Sequence, residues 1–299
     1  MSTTMTHDLT SPILTHVIGQ SITLAEPTPD QVLWKYVYSG KSKPYFHPVC
    51  TPAGHCLTLF EPHDHLWHRG LWFTIKYING DNFWEEVVPF GVQRTLAPPD
   101  VTHGSNGRIE LRTELDWLPP GGDEERPAVF HEERQIGYEP LEAEAYALDF
   151  ATALTAQADL VLDRTPFTTW GGYGGLILRG TRNWQETRLL FPDGSTSDRP
   201  TGIPANWCDL WGKLDGGPNL TGGAAIFDHP DNPRHPSPWY GATGPGHYFN
   251  AAFLFHEPMN VARGQFLSFR YRVLVHDGIW DVPRLDAAYA AYVKEDAEG

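Results

Sequence analysis

The stretch Ile109-Glu110-Leu111-Arg112-Thr113-Glu114-Leu115-Asp116-Trp117 decides the fold. Apolar or β-branched side chains hold the odd positions and charged ones the even positions, the period of a strand with one face on a core and one in water. Tyr146, Leu148, Phe150, Thr152 and Leu154 repeat the pattern, and so do Leu267, Phe269, Tyr271, Val273 and Val275. Shorter apolar runs at 32–38, 71–77, 176–178, 187–191, 224–227 and 249–255 read as further strands, several buried on both faces. Asn79-Gly80, Pro120-Gly121-Gly122, Pro192-Asp193-Gly194 and Asp277-Gly278 supply the reversals between them. The reading is a mostly antiparallel β protein, one sandwich domain over 1–299. One helix is expected at about 282–297, where Leu285, Ala288, Tyr289, Tyr292 and Val293 fall on one face. The Pro/Gly/Asn-rich segments 193–219 and 228–246 look too irregular for strands and are expected as loops of the kind that build binding sites.

Charge narrows the partners. With 37 acidic against 22 basic residues the formal charge is −15, which repels nucleic-acid phosphates and anionic membrane surfaces. Neither nucleic acid nor membrane is expected as a partner, since no run approaches the ~20 apolar residues of a span. The opening Met1–Asp8 has no basic start and no apolar stretch, so no signal peptide is expected. Cys50, Cys56 and Cys208 are an odd number at no zinc spacing, which fits a reducing, cytoplasmic setting.

Chemistry concentrates in Pro62-His63-Asp64-His65-Leu66-Trp67-His68-Arg69-Gly70-Leu71-Trp72, followed by Asn82-Phe83-Trp84-Glu85-Glu86. On an extended chain His63 and His65 share a side, and His68 joins them if the chain turns at Leu66-Trp67. Such a triplet suits either a divalent metal ion or metal-free proton transfer, so the cofactor is none or one metal. Arg69 is a candidate for orienting an oxygen-rich substrate, and Glu85 is a candidate base. Trp72 and Trp84, with Asp209, Asn232, Arg234, Trp239 and His247 on the later segments, are candidate substrate contacts. Eleven tryptophans and twelve tyrosines favour a carbohydrate, whose C–H patches stack on aromatic faces while hydroxyls bond to Asp, Asn, His and Arg. Gly171-Gly172-Tyr173-Gly174-Gly175 lacks both the P-loop lysine and dinucleotide-fold spacing, which disfavours a nucleotide.

Lys43-Pro44-Tyr45-Phe46-His47-Pro48-Val49, the His63-to-Trp72 block, Asn82-Phe83-Trp84, His229-Pro230-Asp231-Asn232-Pro233-Arg234 and Tyr271-Arg272-Val273 with His276-Asp277-Gly278 resemble the PmoA-like family of soluble bacterial proteins. That family commonly shows His-Asp-His-Pro-His-His-Arg-Gly, whereas Leu66-Trp67 stand here for its Pro-His, leaving His63, His65 and His68 as the carried-over candidates. The strand-rich layout with a closing helix is also similar to the galactose-mutarotase-like super-sandwich, a likeness that implies a sugar bound on a concave sheet face. The resulting expectation is an all-β antiparallel super-sandwich acting on a sugar or glycoside by histidine acid/base chemistry, of lyase, epimerase or hydrolase type. The alternatives are a non-catalytic carbohydrate-binding protein and a metal-dependent oxygenase or hydrolase using His63, His65 and His68.

Overall fold

The alternation at Ile109–Leu118 is a strand of a ten-stranded sheet, with Leu111, Leu115 and Trp117 buried and Arg112 and Glu114 in water. The computed structural model describes residues 12–27, 31–121, 126–166 and 172–298. In it, two antiparallel sheets, of nine and ten strands, pack face to face over a cluster that joins Trp34, Leu71, Phe73, Leu176 and Leu178 from one to Trp117, Phe150 and Phe269 from the other. A four-stranded sheet from Tyr77–Ile78, Asp81–Asn82, Leu160–Asp163 and Met259–Val261 lies beside them. The helix, Val282–Glu298, sets Leu285 and Tyr292 against Trp207, Phe227, Leu274 and Trp280 on the outer face of the ten-stranded sheet. No helix among the described residues is long and apolar enough to cross a membrane.

One expectation is corrected. The segments read as loops contain strands at Thr196–Ser197, Thr201–Pro204, Trp207–Lys213 and Pro238–Ala242. Trp207–Lys213 escapes a periodicity test because its first four residues are buried on both faces, one under the core and one under the helix. The charged run 121–126 reads as a solvated hairpin tip, and its residues 122–125 lie outside the described residues.

The nine-stranded sheet positions the site. Along Leu71–Ile75 the residues Leu71, Phe73 and Ile75 enter the core while Trp72 faces outward. Along Gly174–Arg179 the core takes Leu176 and Leu178, which turns Ile177 and Arg179 to the same outer face. Tyr248 and Tyr240 join them from the next two strands, paired as Arg179↔Tyr248 and Tyr240↔Asn250.

Candidate functional site

A hollow of about 710 Å³ opens on this outer face, lined by Asp64, His65, Trp67, His68, Trp84, Glu85, Thr165, Tyr173, Ile177, Arg179, Asp198, Arg199, Ala242, Thr243, Gly246 and Tyr248. Its first wall comes from the histidine segment. The His65 N–H donates to the Pro62 carbonyl (2.9 Å) and the His68 N–H to the His65 carbonyl (3.0 Å), two successive turns that fold the segment on itself. The His65 and His68 rings therefore meet at 4.7 Å between centroids. Behind them Trp72 lies 5.3 Å from His68, and Trp84 packs 5.8 Å from Trp72. Trp84 is aimed by Asn82, whose Oδ1 accepts the N–H groups of Trp84 (2.8 Å) and Glu85 (3.1 Å). Tyr173 continues the wall 4.8 Å from Trp84, followed by Tyr240 at 5.3 Å and Tyr248 at 5.7 Å.

Electrostatics fix the protonation of several groups. Burial, with the Arg179 guanidinium second, pushes His68 down to about 2, so its imidazole is neutral at physiological pH. The same two causes hold His247 down to about 4. Burial pushes the Tyr173 and Tyr248 hydroxyls up, which keeps them as donors. Glu85 ion-pairs with Lys76, while its Oε2 is buried without a partner. His65 Nδ1 sits 3.4 Å from Asp64 Oδ2 but is not aligned to bond it, and Asp64 Oδ1 accepts from Arg182 (2.5 Å). Unpartnered buried polar atoms gather on this face: His65 Nδ1, His68 Nδ1, Trp67 Nε1, Trp72 Nε1, Arg179 Nε and both amide atoms of Asn250. Folded proteins rarely leave such atoms unsatisfied.

The structure brings together His65, His68, Trp84 and Glu85 at the hollow, with Trp72 immediately behind. It sends the other candidates elsewhere. His63 is exposed, and its Nδ1 faces the Arg182 guanidinium at 3.1 Å, away from the other two imidazoles. Among the described residues no three His, Cys, Asp or Glu side chains converge as a metal site, so the triplet does not fit the ion it was read for. Arg69 is 1% exposed and clamped between Glu61 and Glu86, with a third bond to the Leu66 carbonyl (3.1 Å). It is spent on holding the loop and does not face the hollow. Asp209 is sealed on the other sheet, where its Oδ1 lies 3.2 Å from His276 Nε2. Asn232 bonds Asp228 and the Arg270 backbone, and Arg234 bonds the carbonyls of Phe253, Glu257 and Pro258. Trp239 is a core residue of its strand. His247 is buried behind the hollow, 3.1 Å from Thr187 Oγ1.

Sequence reading missed Trp67, Tyr173, Arg179, Arg199 and Tyr248 as lining residues. Arg179 had a signal: a guanidinium closing the both-face-buried run Leu176-Ile177-Leu178 is out of place unless something outside that run needs it. A second hollow, about 700 Å³, lies on the outer face of the ten-stranded sheet around Arg112, Glu114, Glu133, Gln135 and Arg270, and its described lining contains no aromatic ring.

Comparison with known proteins adds little chemistry. A family model described as a family of unknown function (DUF6807) matches residues 27–290, and that description does not mention PmoA. No curated protein matches the sequence. Similar solved structures include a heparan sulfate lyase mutant from Pedobacter heparinus at 9% identity and TM-score 0.43, covering 90% of this chain and 37% of the lyase. This chain thus spans little more than a third of that protein. A galactose mutarotase related enzyme from Lactobacillus acidophilus matches at 9% identity and TM-score 0.32, over 89% of this chain and 97% of that one. An aldose epimerase homologue from C. elegans matches at 8% identity and TM-score 0.35, over 91% and 99%. Superpositions this loose carry no argument about what the hollow binds.

Proposed function

We propose, from the premise that the chain belongs to the DUF6807 family of unknown function, that it is a carbohydrate-processing enzyme working by metal-free acid/base chemistry in the aromatic hollow. The observation that carries the reading is His68, an imidazole kept neutral by burial and packed against Trp72 on the wall of a hollow rich in aromatic rings and unpartnered polar atoms. A neutral imidazole keeps its lone pair free; burial and the Arg179 charge hold back its protonation, and an anionic group on a bound ligand would offset that charge and let the ring take a proton, the first step shared by elimination, epimerisation and activation of water. His65, 4.7 Å away and more accessible, is placed to return a proton to a ring or glycosidic oxygen. Trp84 and Tyr173 offer faces to sugar C–H groups, while Glu85 Oε2 accepts and Tyr248 donates to hydroxyls.

The test is turnover of a panel of sugars and glycosides, read by product NMR so that new double bonds, inverted centres and freed reducing ends are all seen. His68→Asn should lower kcat by about 10²–10⁴-fold, the range for a positioned proton-transfer group, while leaving binding measurable. A wild-type protein that binds sugars in this hollow but never turns one over would instead be a carbohydrate-binding protein, and the enzymatic reading would be lost.

A further inference from the structure

The buried cations of the described chain are Lys43, Arg69, Lys76, Arg134, Arg179 and Arg272. Lys43 meets Glu86, Arg69 meets Glu61 and Glu86, and Lys76 meets Glu85. Arg134 meets Glu132 (2.6 Å) and Arg272 meets Asp149 (2.7 Å). Arg179 stands apart. It is 2% exposed, its Nε is sealed without a partner, and its side chain makes no ion pair or hydrogen bond with any described residue. The carboxylate whose charge acts on it, Asp64, is already bonded to Arg182.

A guanidinium withdrawn from water with no counter-charge in contact is an unfavourable arrangement for a fold to hold, because its desolvation is poorly compensated. Here it lies on the lining of the hollow, with Arg199 at the edge as a second cation, in a protein whose formal charge is −15. The three carboxylates of the lining are each met by another cation, Asp64 by Arg182, Glu85 by Lys76 and Asp198 by Arg188 (3.6 Å), which leaves Arg179 without a partner of its own among the described residues. From this we infer that Arg179 is the receptor for a singly charged oxyanion on the ligand, and that the sugar handled by the hollow is an acidic one carrying a carboxylate. The planar fork of arginine matches a carboxylate in bidentate fashion and would supply the missing charge at the place where it is missing. This inference rests on the reading of the hollow as a sugar site, and the experiment separates the two.

Thermal melting of the whole protein is followed with sodium glucuronate, glucuronamide, glucose and sodium acetate, each balanced to equal ionic strength with sodium chloride. Glucuronate should raise the melting temperature, and glucuronamide, its uncharged counterpart, should need about 30-fold or more higher concentration for the same rise, the scale of losing one partner of a buried charge pair. Arg179→Met should abolish that preference and melt no lower than wild type without ligand, since it removes an unpaired buried charge. Arg179→Lys, which keeps the charge and loses the fork, should fall between. Equal stabilisation of the wild type by glucuronate and glucuronamide would overturn the inference while leaving the sugar reading standing. Acetate matching glucuronate through Arg179 would support the oxyanion receptor and sink the sugar reading. No response of the wild type to any of the four, together with a lower melting temperature for Arg179→Met, would make Arg179 a structural residue and overturn the inference.

Discussion

Arg69 and Arg179 are equally buried and differ only in company. Arg69 is braced by Glu61, Glu86 and the Leu66 carbonyl, and Glu86 is shared with Lys43 and Ser42. Arg69→Ala would leave Glu86 half-buried with only Lys43 and Ser42 and would loosen the turn that carries His65 and His68, so we expect a loss of about 3–5 kcal/mol, the range for one member of a buried pair. Urea unfolding measures it, and a loss under 1 kcal/mol would show the clamp to be ornamental. At this scale the sequence points to the segment that walls the hollow, but not to which of its side chains face it. His63-x-His65-x-x-His68 has ligand spacing on an extended chain, but the turns at Pro62–His65 and His65–His68 rotate His63 outward to Arg182. Which arginine keeps a free fork depends on partners far apart in the chain, and no spacing rule carries that.

At the scale of elements, the strands that alternate cleanly were legible and those whose period is masked were not. Phe130–Glu142 reads as polar because Glu132 and Arg134 occupy two of its inward positions, between Phe130 and Ile136. They are tolerated there because they pair with each other, and Glu132 also accepts from Trp117 Nε1 (2.6 Å) and Thr152 Oγ1 (2.7 Å). Gly70 meets a local backbone need. It joins the histidine segment to Leu71–Ile75 at φ +81°, and a Cβ would stand 2.5 Å from the Phe46 carbonyl, so what comes close there is a neighbouring strand and not a ligand. Gly70→Ala combines left-handed strain with a backbone clash, and we expect about 2–4 kcal/mol of destabilisation. Denaturant midpoints would test this; an unchanged midpoint would mean that the strand junction yields freely.

Across the whole molecule the buried imidazoles tie folding to acidity. His47 and His247 are held down to about 4 and His68 to about 2, each chiefly by burial. An unfolded chain titrates its histidines near ~6.5, so below that it binds protons that the folded chain refuses. Stability is therefore complete above about pH 6.5 and drains as pH falls toward 4, with His68 extending the loss toward 2. The melting temperature should drop between pH 7 and 4.5, by roughly 2–4 °C for each kcal/mol lost in a chain of this size. His68→Asn should flatten the decline, and a profile level across that interval in the wild type would contradict the burial assigned to these rings.

The described tryptophans are divided among the two outer faces and the core. Trp207 and Trp280 are covered by the C-terminal helix on one sheet, whereas Trp67 and Trp84 line the hollow on the other. Trp34, Trp117, Trp184 and Trp239 are sealed in the core between the sheets. The molecule thus carries its own optical gauge: a guest in the hollow would change the surroundings of Trp67 and Trp84, while the six indoles sealed in the core or under the helix would keep theirs as an internal standard.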